Sequence, residues 1–591
     1  MTGSLITAIS WERVHLSLTV LLPGHGGAAE SVQFVIVDGK RVFPVKTTPT
    51  GDRQHRIDIN VTNFRSRGHV PNGTWRFVPL VDGGPCPALA DGPSRLPTCV
   101  DGDVAVGLPP AARYNLNEVH GFEQASRVFF FADNHAAYVI TFGLSESDEH
   151  PEFLMRTYLL SRGRIPDPNA AKPPLGKRFS RKMLPPARRR KFVNLGYRLS
   201  RLINPPRGNR VLFASERRTS IEGNLARVHE RMIERGLGPR YKFRYSFRVP
   251  STISGWNTLR AIYLLATSDI VLIDDYFGLL GGLDISPEAK IIQLWHAGSG
   301  FKSIGYSRFG SCGSAGRVGA HRKYTYAITG SKNLIPVYAE AFGIEESAVV
   351  ATGLPRIDTF LNKERTQKLV ADFFEKYPNL IGKRIILFAP TFRGRGIDDA
   401  YYDYSRIDFA RLYEMCGETS VVLFRMHHFV TVSVPIPPEY ADRLVNYESF
   451  PETNDLLHVA DVLITDYSSV VYEFSLLNRP MLFYAYDKDT YSAVHGFHRD
   501  YDATAPGKVC MTFDELVKAL QNEDYDMSKV EAFRRENFDY LDTGSADRVI
   551  DWLILNDPPG GGQPTSEPAC RDPATAAVAA RPSAANRGRK P

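Results

Sequence analysis

The sequence predicts an α/β protein with two successive doubly wound domains, preceded by a β-rich, sandwich-like domain. Three observations carry this. From Arg210 onward, short runs of apolar residues alternate with helical stretches, the pattern of parallel strands covered on both faces. That alternation comes in two consecutive series of similar size, which implies two doubly wound units. Before it lie β-branched and aromatic runs separated by Gly- and Pro-rich turns, at the spacing of a sandwich.

The chain has 591 residues, 43% of them hydrophobic and 23% charged. This is ordinary globular composition, in a chain longer than one core usually organises. Residues 1–165 form the expected β-rich domain. "HLSLTVLL", "SVQFVIV", "HRIDINV" and "TWRFVPLV" read as strands, and "RVFFFADNHAAYVITFGL" reads as a hairpin-like pair. No catalytic constellation falls there. Asn60 and Asn72 open tripeptides of the glycosylation pattern, but no secretion signal accompanies them.

Residues 166–209 form a basic linker. Lys172 to Arg210 contains no Asp or Glu and carries Lys177, Arg178, Arg181, Lys182, Arg188 to Lys191, Arg198 and Arg201. Phe192, Leu195, Leu199 and Leu202 recur at three- and four-residue steps, so a helix here shows an apolar stripe beside a cationic face. Two readings stand. One is a helix lying on anionic lipid through residues 177–203; the other is a linker whose stripe docks on a neighbouring domain. Nucleic-acid binding is not expected, since no recognition motif accompanies the charge.

The first doubly wound domain is placed at 210–365, with strands "RVLFA", "IVLID", "KIIQL", "YAIT" and "VVATG". The second, 366–555, carries "RIILFAP", "SVVLFRM", "DVLIT" and "PMLFY". Residues 556–591 are rich in Pro, Gly, Ala and Ser and read as a disordered tail. Six cysteines (Cys86, Cys99, Cys312, Cys416, Cys510 and Cys570) lack C-x-x-C spacing, against structural zinc and a disulfide scaffold. No window has the length and apolarity of a membrane span, so a cytoplasmic location is expected.

Polar residues of interest fall at strand C-termini, where this architecture binds ligands. His296 ends one strand in "IIQLWHAGSGFKSIG". Thr391 and Arg393 end a second, and Arg425, His427 and His428 a third. Thr465, Asp466, Ser468 and Ser469 end a fourth in "ITDYSSVVYEF". Ser468 or Ser469 at a helix N-terminus, beside exposed backbone N–H groups, suits a phosphate or diphosphate, though a plain N-cap has the same sequence. Arg393 offers a planar fork for phosphate oxygens, or else makes a surface salt bridge. Neither a P-loop nor a dinucleotide-binding turn is present. Asp274 and Asp275, adjacent after a strand, point in different directions, against metal ligation. No metal and no cofactor is expected.

The segments "QLWHAGSGFKSIG", "TGLPRIDTFL", "FAPTFRG", "RMHHF", "ITDYSSVVYEF" and "FYAYDKDTYSAVHGFHRDYD" together resemble the CDP-glycerol:poly(glycerophosphate) glycerophosphotransferases, the teichoic-acid polymerase and primase group. The resemblance covers roughly residues 210–555. It implies a GT-B arrangement of two Rossmann-like domains, peripheral attachment to the cytoplasmic face of the membrane, and transfer of a polyol phosphate, glycerol phosphate first, from CDP-glycerol or CDP-ribitol to a lipid-linked polyol phosphate or glycan acceptor. Where better-known members read closer to Trp-His-Gly-Thr-Pro-Leu-Lys, this chain has Trp295 to Lys302 with the Thr-Pro core lost.

On this resemblance His296 is the general base. Arg393, His427, Thr465, Ser468 and Ser469 bind the diphosphate, and Glu473 binds the ribose hydroxyls or is merely exposed. Glu216 and Asn224, matching the family's opening segment, face the acceptor. Two other functions remain open: a GT-B glycosyltransferase using a nucleotide sugar, and a non-catalytic cell-wall assembly scaffold.

Overall fold

The computed structural model describes residues 5–22, 32–39, 41–51, 53–66, 68–81, 113–114, 125–130, 136–145, 152–161, 186–249, 254–298, 300–308, 319–394, 400–450 and 452–557. Cys86, Cys99, Cys312, Cys570, the basic residues from Lys177 to Lys182 and the tail from 558 lie outside them, as do the side chains of Arg188 and Arg189.

Before residue 162 the described residues form a five-stranded and a six-stranded sheet. The five-stranded sheet includes Leu5–Glu12, His15–Leu21 and Gln54–Asn60; the six-stranded one includes Val32–Asp38, Gly73–Val81, Phe153–Ser161 and Ala136–Leu144. Alternate side chains of both enter one core, with Ile6, Leu16, Leu18 and Ile57 meeting Phe34, Trp75, Phe77 and Tyr138. Period-two burial along His15–Leu21 shows why: every second residue is apolar and covered. The expected pair appears as Arg127–Phe130 antiparallel to Ala136–Leu144.

Two parallel six-stranded sheets follow. In space the first runs Lys242–Phe247, Arg210–Ser215, Ile270–Ile273, Lys290–Gln293, Tyr326–Ile328, Val349–Val350. Its strands read 2-1-3-4-5-6 in chain order, so the order reverses between Arg210–Ser215 and Ile270–Ile273. The second runs Leu444–Asn446, Ser420–Phe424, Arg384–Phe388, Val462–Thr465, Met481–Tyr484, Lys508–Cys510. Its order is 3-2-1-4-5-6, reversing between Arg384–Phe388 and Val462–Thr465. Crevices outside strand C-termini at such reversals are where open α/β sheets bind ligands. The central strands Arg210–Ser215, Ile270–Ile273, Ser420–Phe424 and Val462–Thr465 are buried throughout, as their continuous apolar sequences require.

One helix, Pro186–Ile203, leads into the first sheet. It does not dock through its apolar stripe. Asn194 and Tyr197 are buried instead, Asn194 donating to the Gly282 carbonyl (3.1 Å) and accepting from the Asp284 N–H (2.7 Å). Phe192, Leu195, Leu199, Leu202 and Ile203 stay exposed, so the reading of the stripe as an interdomain seam is corrected. Beside it packs the helix Gly255–Thr267, which leaves Trp256, Leu259 and Tyr263 exposed. No helix among the described residues is long and apolar enough to cross a membrane.

Candidate active site

The strand Lys290–Gln293 does not glide into its loop. Trp295 takes a left-handed backbone conformation, φ 54°, which a bulky residue adopts only when its surroundings impose it. They do. The Trp295 N–H donates to the Gln293 side chain (2.8 Å), and Asn224 Nδ2 donates to the carbonyls of Leu294 (3.0 Å) and Trp295 (2.7 Å). Buried Gln293 is itself fixed by donation to the Asp275 carbonyl (2.9 Å). The turn so produced presents His296, half-buried, at the C-terminal edge of the first sheet.

Beyond it the loop meets the second α/β unit. A Cβ at Gly298 would stand 2.3 Å from the Tyr472 ring, so only glycine lets the two chains approach this closely. Tyr472 belongs to the helix Val470–Leu476 that follows Asp466, Tyr467, Ser468 and Ser469. Arg356 closes the junction, donating to the His296 carbonyl (2.7 Å) and forming an ion pair with Glu473. The histidine loop and the serine-bearing helix therefore pack against each other where the C-terminal edges of the two sheets meet.

His296 Nδ1 lies 3.5 Å from Asp275 Oδ2. Burial pushes the imidazole pKa below its ordinary 6.5; Asp275 pulls it back up, while Arg356 and Arg218 push it down. A neutral imidazole beside a carboxylate is the state a general base needs. Asp274, by contrast, turns into the interior toward Arg218 (3.0 Å), and burial pushes its carboxyl up to about 6. The two neighbours do point apart, and among the described residues no cluster of three His, Cys, Asp or Glu could hold a metal.

On the opposite wall, His427 accepts from the Phe429 N–H through Nδ1 (3.2 Å), which leaves Nε2 carrying the proton. Burial, with His428, Lys302 and Arg425 nearby, pushes its pKa down to about 3. It is a neutral donor. Lys302 sits 5.6 Å over the Tyr491 ring, and Tyr491 stacks at 3.9 Å on Tyr467. Arg425 donates to Thr453 Oγ1 (3.2 Å) and to the Glu448 carbonyl, with no carboxylate among the described residues bridging it. Lys302 and Arg425 thus bring positive charge to the wall that carries His427.

Several expected ligands have other work. Arg393 is buried at the reversal of the second sheet, where it ion-pairs with Asp466 (2.7 Å) and Asp487 (2.6 Å) and donates to the Thr391 carbonyl (2.7 Å). Burial opposes its charge, but the two carboxylates hold its pKa above the usual value. Four of its five N–H groups are so engaged; it braces the loops and is not an open phosphate fork. Thr465 donates to the Ala389 carbonyl (2.7 Å). Ser468 is half-buried and Ser469 exposed, at the start of the helix. Glu473 is 1% exposed and taken up by Arg356, so neither the ribose contact nor the exposed alternative describes it. Glu216 accepts from the Gly278 N–H (2.7 Å) and pairs with Arg248, and Asn224 is spent on the histidine loop. Both differ from the acceptor-facing role expected of them.

Residues 197–555 match the family described as CDP-Glycerol:Poly(glycerophosphate) glycerophosphotransferase. The chain belongs to this family. The matched region contains every residue of the crevice and leaves the N-terminal sheets outside. Among relatives, the chain is 37% identical to the teichoic acid poly(ribitol-phosphate) polymerase of Bacillus spizizenii over 62% of its own length and 59% of that protein's. It is 38% identical to the teichoic acid ribitol-phosphate polymerase TarL of Staphylococcus aureus over 58% of its own length and 62% of that protein's. The match thus spans about three fifths of each relative. A solved structure of the wall teichoic acid polymerase TagF superposes with a TM-score of 0.50 and 21% identity, covering 66% of this chain and 98% of that one. At that identity the likeness concerns the fold alone.

The residues to which sequence reasoning gave no part in the site are Asp275, Arg356 and Lys302. The sheet register brings Asp275 to His296: Ile270–Ile273 and Lys290–Gln293 are neighbouring parallel strands with Ile273 opposite Gln293, so Asp275, two residues on, and His296, three residues on, leave the sheet at the same edge.

Proposed function

We propose that this protein transfers a polyol phosphate from a CDP-activated polyol to a hydroxyl of a lipid-linked acceptor, releasing CMP, in wall-polymer synthesis. The observation that supports it best is the neutral His296, backed by Asp275, on a loop that packs against the helix following Ser468 and Ser469. The two parallel sheets are read as a GT-B pair over 210–365 and 366–555, with the β-rich region of 1–165 as a sandwich-like accessory.

In this reading the acceptor hydroxyl gives its proton to His296 Nε2, and Asp275 steadies the imidazolium formed. The acceptor oxygen bonds to the β-phosphorus in line; the bond from that phosphorus to the bridging oxygen breaks, and CMP departs with the electron pair. Charge gathering on the diphosphate meets Lys302, the His427 Nε2–H and backbone N–H groups at Ser468 and Ser469. Arg393 holds the second wall in shape through Asp466 and Asp487.

The donor is assigned as CDP-ribitol. The ribitol-phosphate polymerases are 37–38% identical to this chain, whereas the teichoic acid glycerol-phosphate primase of Bacillus subtilis is 28% identical. This moves the preference away from the glycerol that the motif resemblance put first. The exposed stripe from Phe192 to Ile203, with Trp256 and Leu259 beside it and Arg190, Lys191 and Arg198 around it, is read as the face laid on anionic lipid at the cytoplasmic membrane surface. The deciding experiment incubates purified protein and a lipid-linked acceptor with CDP-ribitol, CDP-glycerol or a UDP-sugar and measures nucleotide release. CMP from CDP-ribitol is expected. UDP release alone would replace this reading with a glycosyltransferase, and no release would leave the scaffold.

A further inference from the structure

The β-rich N-terminal region lies outside the family match, yet its hairpin tip is wedged between both α/β units. Leu5–Glu12 and His15–Leu21 are joined by Arg13 and Val14, with Glu12 opposite His15. Two-residue hairpin turns call for positive φ, the province of Gly, Asn and Asp. Here Arg13 takes φ 52°, so the sequence keeps a strained long cation where glycine would relax the turn. Its side chain explains the choice. Nε and Nη2 form a fork on the two oxygens of Glu340 (2.9 Å each), while Nη1 donates to the carbonyl of His498 (2.7 Å).

Glu340 is 4% exposed and lies on the helix Ile335–Phe342 of the first α/β unit. It is also met by His15 Nε2 (3.0 Å) and His498 Nε2 (3.4 Å). Burial opposes its ionisation, but those imidazoles and Arg13 hold its pKa well below the usual carboxylate range. A buried carboxylate left without such partners is costly, so Glu340 ties Arg13, His15 and His498 to one point. His498 belongs to the second unit and leads back to the crevice. Its N–H donates to the Phe301 carbonyl (3.1 Å), the Ser303 N–H donates to the Gly496 carbonyl (3.3 Å), and Lys302 and Phe497 form an antiparallel bridge between them. Lys302 is the cation that stands beside His427.

We propose that Arg13 is a positioning residue for the active site: through His498 it clamps segment 496–498 onto Phe301–Ser303 and thereby sets Lys302 in the crevice. The N-terminal β-rich region then serves as a wedge holding the two α/β units closed on each other. The catalytic consequence rests on the reading above; the clamp does not. Full-length Arg13→Met is compared with wild type by hydrogen exchange and by CMP release. Exchange at the Ser303 and His498 amides is expected to quicken about tenfold or more, as for a locally released bridge, while amides of Ile291 and Leu463 in the sheet centres keep their protection. Arg13→Lys, which retains the charge but not the fork, should fall between. Glu340→Gln should loosen the same two amides, and it decides the matter where Arg13→Met does not fold. Unchanged exchange at both amides in either folded variant overturns the proposal. A wild type that releases no CMP while its variants loosen at these amides would remove the proposed function and leave the clamp standing.

Discussion

His296 Nδ1 faces Asp275 Oδ2 at 3.5 Å, across the ends of two neighbouring parallel strands. The separation is longer than a good hydrogen bond, as unliganded acid–base pairs often are, and shortens when the imidazole takes a proton. Rate should therefore rise with pH through the His296 pKa, because the neutral ring is the base. That pKa lies below 6.5, so kcat/KM is already level at neutrality. Asp275 raises the pKa; Asp275→Asn removes that support and moves the acid limb to lower pH. The same change lowers kcat by roughly tenfold or more, part of the 10²–10⁴ that general acid–base catalysis supplies. His296→Ala loses that factor in full. A pH–rate series on the three proteins checks both, and an acid limb that moves upward in Asp275→Asn refutes the assignment.

Lys302 and His427 make a second prediction. With its pKa near 3, His427 stays neutral throughout the working range, so no loss of activity between pH 5 and 8 belongs to it. Lys302→Met should cost about 10²–10³ in kcat, the scale for removing one preorganised charge partner from a transition state. Steady-state CMP release measures it, and a change confined to acceptor KM would place Lys302 on the wrong substrate.

Arg393 should behave as a brace. Arg393→Met takes the cation from Asp466 and Asp487, Asp466 fully buried, and a broken buried pair costs about 3–5 kcal/mol. Urea unfolding reads this directly. A variant as stable as wild type but inactive would return Arg393 to the phosphate-binding role. Arg393→Lys does not rescue, because one ammonium cannot span both carboxylates in the geometry of the fork.

What could be read in the sequence, and what could not, follows from the range of the interactions. The strand series and their polar C-termini were legible because burial on both faces writes a continuous apolar run into local sequence. The stripe from Phe192 to Leu202 was legible because its apolar residues recur at three- and four-residue steps. The function of Arg393 was not, since its carboxylates lie 73 and 94 residues away in the chain. Nor does any local pattern announce that Trp295 turns left-handed, because Asn224 and the distant elements around it impose that conformation. His296 was found through its neighbours in sequence; Asp275, which aims it, came only with the sheet register.

The contact between Gly298 and Tyr472 yields a fourth prediction. Gly298→Ala places a methyl 2.3 Å from the Tyr472 ring, so the histidine loop must lift from the helix Val470–Leu476. A misplacement of about 1 Å at an active site costs on the order of 10²-fold in rate. Adding Tyr472→Ala opens the space and should restore part of the lost activity. If Gly298→Ala has wild-type kcat, the loop and the serine helix do not need to touch for the reaction.

The exposed stripe carries the last prediction. Phe192, Leu199 and Leu202 are 62%, 48% and 77% exposed, and each apolar side chain fully buried in a lipid interface gains about 1.5–3 kcal/mol. Partial insertion of three, assisted by Arg190, Lys191 and Arg198 against anionic headgroups, is enough for reversible binding that weakens with salt. Replacing all three with Ser should reduce sedimentation with phosphatidylglycerol vesicles by at least about tenfold, while Asn194 and Tyr197 keep the helix docked on its domain. Activity toward a water-soluble acceptor analogue should be unchanged, since the helix is not part of the crevice. Wild-type vesicle binding in the triple variant would assign the stripe to a protein partner instead, because that much apolar surface beside Trp256 and Leu259 is a surface made to be covered.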